Sequence, residues 1–375
     1  MTRLSIVFFV HLLLLASFSN ALPAGNVTPG NPVGDSVDAL VTRVMSERHI
    51  PGLQLAVVKQ GKMLDNRCYG IANLGDSIPV TKNTVFSANS IAKILSGVAI
   101  LQLKEAGKLS IDAPVSGYLD SLPDSWKKVT IRQLLANVSG IPDITDSITD
   151  RLISDNGEYA SWQKVQALPM EFQTGEQFSY NTTNYLLIGK IIDKLGDMPF
   201  VEFFHRHQLA TAGMKHTVFA NSYNIIPHKA PTYSYFHQCA NGRYRKTDKL
   251  EEAYEEFPGF LRTDAGMFTT ATDLALWVTK LQTEKLLRDK KNIAEMWMPV
   301  KLNNGTYGGF GGLLNGYALG WPVILREKHN VAAAIGGGRA ALFYYTADDL
   351  AIIVLTNLAG GNPELFIDDL ATYYR

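Results

Sequence analysis

Both ends of the chain pair an amphipathic helix with a β-hairpin, and this repetition limits the folds that the chain can adopt. Each hairpin consists of two apolar segments separated by a short polar turn. The four predicted strands are residues 53–59, 63–69, 340–345 and 351–356. A helix is predicted after Asp35, before the first hairpin, and another after Pro363, behind the second. The simplest assembly is one antiparallel sheet built from both ends of the chain and covered by the terminal helices.

The middle of the chain has mainly helical patterns. Helices are predicted at residues 90–106, 130–135 and 183–195. We therefore predict a two-lobe fold of the α+β class, in which a helical lobe is inserted into the sheet lobe. The sheet lobe covers approximately residues 35–80 and 310–375, and the helical lobe approximately 85–300. Together they form a single domain at 35–375, with the functional site between the lobes.

Residues 1–21 are predicted to be a secretory signal peptide. Arg3 precedes an apolar run, and Ser19-Asn20-Ala21 supplies small residues for cleavage after Ala21. The competing interpretation is an uncleaved membrane anchor, for which the run from Leu4 to Ala16 is short. Residues 22–34 are rich in Pro and Gly and are predicted to be a linker. We expect a secreted or periplasmic protein with no stable membrane span after cleavage.

Charge and cysteine content exclude several classes of function. The 35 basic residues balance 35 acidic ones without a long basic run, so nucleic-acid binding is not expected. Cys68 and Cys239 are too few for a disulfide scaffold and lack the spacing of a metal site. They could pair after export, but two buried free thiols are the preferred interpretation. His205 and His207 lack neighbouring ligand residues, and no nucleotide-binding loop is present, so we predict neither a metal nor an organic cofactor.

Ser90 and Lys93 are the first candidates for chemistry. They are three residues apart at the predicted start of a helix, so their side chains share one face. A desolvated lysine amine could accept the serine proton during nucleophilic attack, and the helix N-terminus could stabilise a developing oxyanion. Since Ser-x-x-Lys arises often by chance, a capping serine beside a surface lysine is the competing interpretation of the motif alone.

Longer segments make the match specific. Residues 174–189 (TGEQFSYNTTNYLLIG) look like the Tyr-Ser-Asn segment of class C β-lactamases, penicillin-binding proteins and related esterases. Further landmarks that resemble this family are residues 107–114, 130–135, 138–143, 265–274 and 317–321. The resemblance implies a β-lactamase-like fold and a serine hydrolase in which Ser90 is the nucleophile. It also implies that Tyr180 joins Lys93 in proton transfer, with a phenol pKa lowered by Lys93, and protonates the leaving group.

The substrate-binding side departs from the family pattern. Ala334 stands where the family has Lys or His, although Gly336 would still allow close approach of a substrate and the Gly337 N–H would complete the oxyanion hole. Thr182 replaces the usual Asn. The resemblance therefore implies retained acyl transfer on a small ester, amide or peptide substrate, which could derive from a cell wall, with β-lactams less expected. The alternative function is a catalytically impaired protein that binds ligands or cell wall.

Two further features bear on this interpretation. Arg339 could replace the missing cation if a glycine-rich bulge redirected its side chain, and a surface ion pair is the alternative. The sequon at Asn181 would place a glycan beside Tyr180, which weakly favours a host that does not glycosylate exported proteins.

Overall fold

The computed structural model describes residues 32–239 and 241–375. The predicted signal peptide, and the predicted linker up to residue 31, lie outside these residues. The strands are β1 (Gly52–Lys59), β2 (Lys62–Asn73), β3 (Ile78–Pro79), β4 (Phe86–Asn89), β5 (Val218–Phe219), β6 (Thr232–Gln238), β7 (Tyr244–Ala253), β8 (Met267–Thr269), β9 (Gly316–Tyr317), β10 (Pro322–Ile324), β11 (Val331–Gly336), β12 (Ala340–Tyr345) and β13 (Leu350–Thr356). The helices are α1 (Pro32–Arg48), α2 (Ala92–Glu105), α3 (Ile131–Leu135), α4 (Gly157–Gln166), α5 (Thr182–Gly196), α6 (Phe200–Phe204), α7 (Ala210–Ala212), α8 (Ala271–Gln282), α9 (Lys290–Met296) and α10 (Ile367–Ala371).

An antiparallel sheet of eight strands dominates the fold, in the order β3-β2-β1-β13-β12-β11-β10-β9. The N-terminal and C-terminal hairpins meet at its centre, where β1 pairs with β13 and Leu55 lies opposite Val354. The first hairpin turns through Gln60 and Gly61, which both have positive φ, as a two-residue hairpin loop requires. The predicted α+β fold, with one antiparallel sheet built from both chain ends, is confirmed.

Helices cover both faces of this sheet. Alternate residues of β1 point to opposite faces, so that Leu55 and Val57 pack with α1 and α10, whereas Ala56 and Val58 join the larger core around α2 and α8. Because both faces are buried, the central strands are apolar at nearly every position.

Two predicted helix starts are shifted. α1 begins at Pro32 rather than at Asp35 and so includes the last residues of the predicted linker; proline is well suited to the first turn of a helix. α2 begins at Ala92 rather than at Ser90, which lies in a turn just before it. Ser90 therefore precedes the helix and does not belong to its first turn.

The middle of the chain contains α2 to α9, of which α2, α3 and α5 correspond to the three predicted helices, together with five strands that were not predicted. β4, β8 and β5 form a small sheet, and β6 and β7 form a hairpin. β4 leads directly into Ser90, and β8 follows closely after Asp264. The small sheet therefore brings two distant chain segments to the same place. The lobe and domain boundaries stay a prediction.

Within residues 32–239 and 241–375, no helix combines the length and the hydropathy that a bilayer crossing requires. Cys68 and Cys239 are unpaired, which agrees with the preferred interpretation, although each keeps some solvent exposure.

Candidate active site

A strand, a sharp turn and a helix position Ser90. Asn89, the last residue of β4, adopts a left-handed conformation with φ of +46°, which asparagine tolerates better than most residues. The Ser87 hydroxyl donates to Asn89 Oδ1 at 2.6 Å, and Asn89 Nδ2 donates to Glu255 Oε1 at 3.0 Å, so both ends of the amide are held. The Ser90 side chain is partly buried beside the N-terminus of α2.

Lys93 is a buried cation at the centre of the site. It is 1% exposed, and its Nζ lies 3.4 Å from Ser90 Oγ, which is long for a hydrogen bond. The same Nζ lies 4.3 Å from the ring centre of Tyr180 and 4.9 Å from that of Tyr185. The structure therefore brings together Ser90, Lys93 and Tyr180, and aromatic faces supply part of the environment of the ammonium group.

Tyr180 shares a hydrogen bond with Ser90 through its phenol group. Burial raises the pKa of Tyr180 well above its ordinary value, and the carboxylate of Asp264 adds to this, against the opposing effect of the bond with Ser90. The expectation that Lys93 lowers the pKa of this phenol is wrong in direction, because burial and the Asp264 carboxylate raise that pKa. Tyr180 is thus a protonated phenol at neutral pH, able to donate a hydrogen bond.

Asp264 is a site residue that reasoning from the sequence missed. Its Oδ1 lies 2.6 Å from Lys93 Nζ, and its main-chain carbonyl accepts a hydrogen bond from the same nitrogen at 3.0 Å. Burial raises the pKa of Asp264, and Lys93 opposes this rise. The available signal was a charged residue directly before the family-like segment 265–274, in otherwise largely apolar surroundings.

A second carboxyl group, that of Asp143, lies beside the start of α5. Its Oδ1 accepts hydrogen bonds from the main-chain N–H and the hydroxyl of Thr145, both at 3.0 Å, and its Oδ2 accepts one from the Thr182 N–H at 3.2 Å. Burial raises the pKa of Asp143 to about 7, although the hydrogen bonds from Thr145 and Thr182 act in the opposite direction. The Thr182 hydroxyl lies 3.3 Å from that of Thr145, so the structure ties Thr182 to this loop.

The hairpin between β11 and β12 lies against the segment that leads into Ser90. A Cβ atom on Gly336 would lie 2.0 Å from the Ala88 carbonyl oxygen, and one on Gly337 would lie 2.3 Å from Asn89 Nδ2. Only glycine permits this approach, and Gly337 also has a φ of +54°. Gly336 and Gly337 therefore lie next to the nucleophile segment, whereas Ala334 is 2% exposed and contributes only a methyl group to the core.

Arg339 is neither a free cation nor part of a surface ion pair. Its guanidinium group donates to Glu255 through two hydrogen bonds, of 2.6 Å and 2.8 Å, and to Thr232 Oγ1 at 3.1 Å. The Arg339 side chain is 5% exposed. Because Gly337 and Gly338 both have positive φ, the chain turns here instead of continuing as a regular strand. Both predicted alternatives for Arg339 are therefore replaced by a buried pair whose charges cancel.

The sequons at Asn137 and Asn181 give no information about the host. Asn137 and Asn181 are 0% and 1% exposed, and each side chain is hydrogen-bonded inside the protein. Neither can carry a glycan in the folded state, so the sequon at Asn181 does not favour one kind of host over another.

Among the described residues, no group of three or more His, Cys, Asp or Glu side chains is arranged to hold a metal ion. His205 and His207 lie in a π-helical turn, where the His207 ring stacks near Phe203 with centroids 4.3 Å apart.

The fold and the arrangement around Ser90 together place the chain in the β-lactamase-like class of proteins. The profile of the Beta-lactamase family matches residues 37–373, and the chain belongs to that family. The resemblance inferred from the sequence is thereby confirmed.

Individual relatives are distant. Protein flp of Staphylococcus aureus (strain MW2) is 26% identical over 351 residues, which cover 91% of this chain and 66% of that protein. The chain thus spans about two thirds of the length of this relative. The octameric penicillin-binding protein homologue from Pyrococcus abyssi superposes with a TM-score of 0.71 at 22% identity, over 90% of this chain and 77% of that one. The D-amino acid amidase from Ochrobactrum anthropi SV3 superposes with a TM-score of 0.74 at 19% identity, over 92% of this chain and 99% of that one.

Proposed function

We propose that this hydrolase forms an acyl-enzyme on Ser90 with small ester or amide substrates that do not depend on a carboxylate for recognition. One observation carries the proposal: the position at which the family supplies a cation holds Ala334, and the nearest candidate replacement, Arg339, is neutralised by Glu255. A substrate carboxylate would have no unpaired cation to meet on this strand. Ester and amide bonds need only the nucleophile, a proton carrier and an oxyanion site.

The proposed reaction uses groups that the fold holds next to one another. Ser90 Oγ attacks the carbonyl carbon, and the main-chain N–H groups of Ser90 and Gly337 stabilise the oxyanion. Lys93 takes the Ser90 proton, the phenol of Tyr180 donates its own proton to the departing alcohol or amine, and Lys93 then returns a proton to Tyr180. Water then attacks the acyl-enzyme and releases the acid, and Ser90 regains its proton. No metal or organic cofactor takes part in this scheme.

Similarity to the D-amino acid amidase supports amides as one substrate class. β-Lactam drugs carry a carboxylate next to the reactive ring, so we expect them to react more slowly than neutral esters and amides. Cell-wall peptides remain candidates where the scissile bond does not adjoin a free carboxylate.

We also propose that the enzyme acts after export, which rests on the sequence of residues 1–21. Sequencing the N-terminus of the protein purified from its native host tests this. A mature chain starting at Leu22 supports cleavage after Ala21, and a chain that keeps residues 1–21 in the cytosol contradicts export.

Covalent labelling tests the nucleophile without knowledge of the substrate. The purified protein is incubated with a fluorophosphonate and, separately, with a fluorescent penicillin, and the peptide containing Ser90 is analysed by mass spectrometry. We expect a fluorophosphonate adduct on Ser90 and weaker labelling by penicillin, with Ser90→Ala as the control that abolishes both. A folded protein that reacts with neither reagent would contradict the proposal and favour a binding protein.

The substrate class is tested with a parallel panel of reactions. It contains short-chain p-nitrophenyl esters, D-amino acid amides, D-amino-acid peptides with free and amidated C-termini, and a chromogenic cephalosporin. We expect the amidated peptides and the esters to exceed the free-acid peptides and the cephalosporin in kcat/KM. The reverse order would show that a carboxylate is recognised after all.

A further inference from the structure

We propose that Asp264 is a positioning residue that makes Lys93 an effective proton acceptor, by taking the lysine proton while Ser90 attacks. The two residues then act as one proton-transfer unit behind the nucleophile. This inference rests on the proposed acyl-enzyme function, because it assigns the route of the Ser90 proton.

The contacts of Lys93 support this role. Its Nζ lies 2.6 Å from Asp264 Oδ1 and 3.4 Å from Ser90 Oγ, so a single nitrogen faces both the nucleophile and the carboxylate. The Lys93 and Asp264 side chains are 2% and 12% exposed, so solvent screens their interaction little. Asp264 Oδ1 accepts no hydrogen bond in this arrangement, so the ammonium group must rotate to aim an N–H at it before a proton passes between the two side chains.

The resting charges explain why Lys93 needs such a partner. An ammonium nitrogen has no lone pair with which to accept the Ser90 proton, so a charged Lys93 must first pass a proton to a neighbour, and the Asp264 carboxylate lies 2.6 Å from its Nζ. Tyr180 is no better, because its raised pKa keeps it a phenol. Neither residue can serve as the general base from the resting state alone.

Transfer within the pair removes this obstacle. In the buried pair, moving one proton from Lys93 Nζ to Asp264 Oδ1 converts two charged groups into a neutral amine and a neutral acid. The amine takes the hydroxyl proton of Ser90 as the Oγ–C bond forms, and the negative charge moves to the oxyanion. When the leaving group departs it receives a proton through Tyr180 and Lys93, Asp264 returns its proton to Lys93, and the resting charges are restored.

The loop that carries Asp264 is fixed to both helices of the site. The Thr263 hydroxyl donates to the Tyr185 carbonyl of α5 at 2.7 Å, and the Ser96 hydroxyl of α2 donates to the Thr263 carbonyl at 2.7 Å. These two hydrogen bonds fix the backbone beside Asp264, and they thereby hold its carboxylate next to Lys93. The other titratable side chains that face Asp264 are those of Tyr180, Tyr185, Tyr317 and Asp143.

The rate of fluorophosphonate labelling of Ser90, followed against pH, tests the relay directly. In this reaction the Ser90 O–P bond forms, fluoride leaves, and the Ser90 proton must go to the general base. We expect Asp264→Asn to label about 100-fold more slowly than the wild type near pH 7, in the range of general-base effects. Its rate should recover as the pH rises, because hydroxide from solution can then take the Ser90 proton in place of the relay. In Asp264→Ala, added formate should restore labelling in proportion to its concentration.

The matched control is Asp273→Asn. Asp273 is also a buried aspartate, 2% exposed, but it accepts hydrogen bonds from the His216 N–H and the Thr217 hydroxyl, away from Lys93. This variant should keep the wild-type pH profile. Circular dichroism and thermal unfolding establish that each variant is folded, and Asp264→Glu, which keeps a carboxylate, provides a second test if Asp264→Asn does not fold.

The outcomes separate the two proposals. If wild-type Ser90 is not labelled at any pH, the acyl-enzyme function fails. If wild-type Ser90 is labelled, and folded Asp264 variants show the wild-type pH profile or a loss that neither high pH nor formate reverses, the relay fails and Asp264 is a structural ion-pair partner.

Discussion

Arg339 is held by Glu255 through two parallel hydrogen bonds of 2.6 Å and 2.8 Å, and this pair lies directly behind the Gly337 turn. Glu255 also accepts from Asn89, the residue before the nucleophile. One carboxylate therefore connects the hairpin of the substrate side with the turn that presents Ser90. Glu255 thus has a structural role, and it neutralises the arginine that was the candidate to replace the missing cation at position 334.

Replacing Glu255 by Gln should destabilise the protein, because the Arg339 charge then stays buried without a counterion. Removing one partner of a buried pair costs about 3–5 kcal/mol, and the lower end applies here since part of Glu255 is accessible. Urea unfolding measures the change. Arg339→Met combined with Glu255→Met should recover part of the loss, and a stability of Glu255→Gln equal to that of the wild type would show that the pair is not energetically important.

Replacing Gly336 by Ala should disturb the approach of the hairpin to the nucleophile segment. The added Cβ would lie 2.0 Å from the Ala88 carbonyl, so the backbone must move, at a cost of about 1–3 kcal/mol. We expect a lower melting temperature together with slower fluorophosphonate labelling of Ser90. Gly117→Ala is the matched control, because a Cβ there meets nothing within 4 Å, and it should change neither quantity.

Removing the Tyr180 hydroxyl, as in Tyr180→Phe, should affect amides more than activated esters. A departing amine requires a proton, whereas p-nitrophenolate leaves readily without one. We expect kcat to fall about 10²- to 10⁴-fold for an amino acid amide and much less for a p-nitrophenyl ester. Measuring both substrates on the same preparation provides the internal control. If kcat fell equally for the amide and the ester, the role of Tyr180 would be to pack against Ser90 or to orient it.

Asp143 should make folding stability decrease as the pH rises from about 4 to about 7. Its folded pKa of about 7 exceeds the value of an unfolded aspartate, so in this interval the folded state binds more protons. The associated stability is complete below the unfolded pKa and is lost as the pH passes through the folded one. Chemical unfolding at a series of pH values measures the slope.

Asp143→Asn should make that slope less negative. The exposed Asp146 is the control. The Thr149 and Ile148 N–H groups lower its pKa, so Asp146 changes the folding stability only at pH values below about 4. Asp146→Asn should therefore leave the slope between about pH 4 and 7 unchanged. A slope that is insensitive to Asp143→Asn would show that this carboxyl group titrates normally.

Local patterns predicted the parts of this structure that depend on nearby residues. The hairpin around Gln60 and Gly61 follows from turn chemistry, and the helix after Thr130 follows from a capping box, in which Thr130 and Gln133 hold each other's backbone N–H groups. The meeting of Ser90 and Lys93 follows from their spacing of three residues. In each case the interaction is set within one turn of chain.

The partners that complete the site could not be found in this way. Asp264 contacts Lys93 across 171 residues of sequence, and Glu255 contacts Arg339 across 84. Whether such charges meet depends on how the loops pack, which no local pattern encodes. The direction of the Tyr180 pKa shift was missed for the same reason, since it depends on burial and on Asp264.

The pairing of β1 with β13 joins two strands that are made at very different times during synthesis. The Gly52 N–H beside this seam donates to Asn357 Oδ1, 305 residues further along the chain. The first strand therefore cannot pair with its central neighbour until residues 350–356 have been made, and such distant pairings form late. The hairpin that carries Gly336 and Gly337 also emerges only after the nucleophile, the lysine and Asp264. A growing chain accordingly holds Ser90 without the hairpin that lies against it, and the site is complete only when the last strands close the sheet.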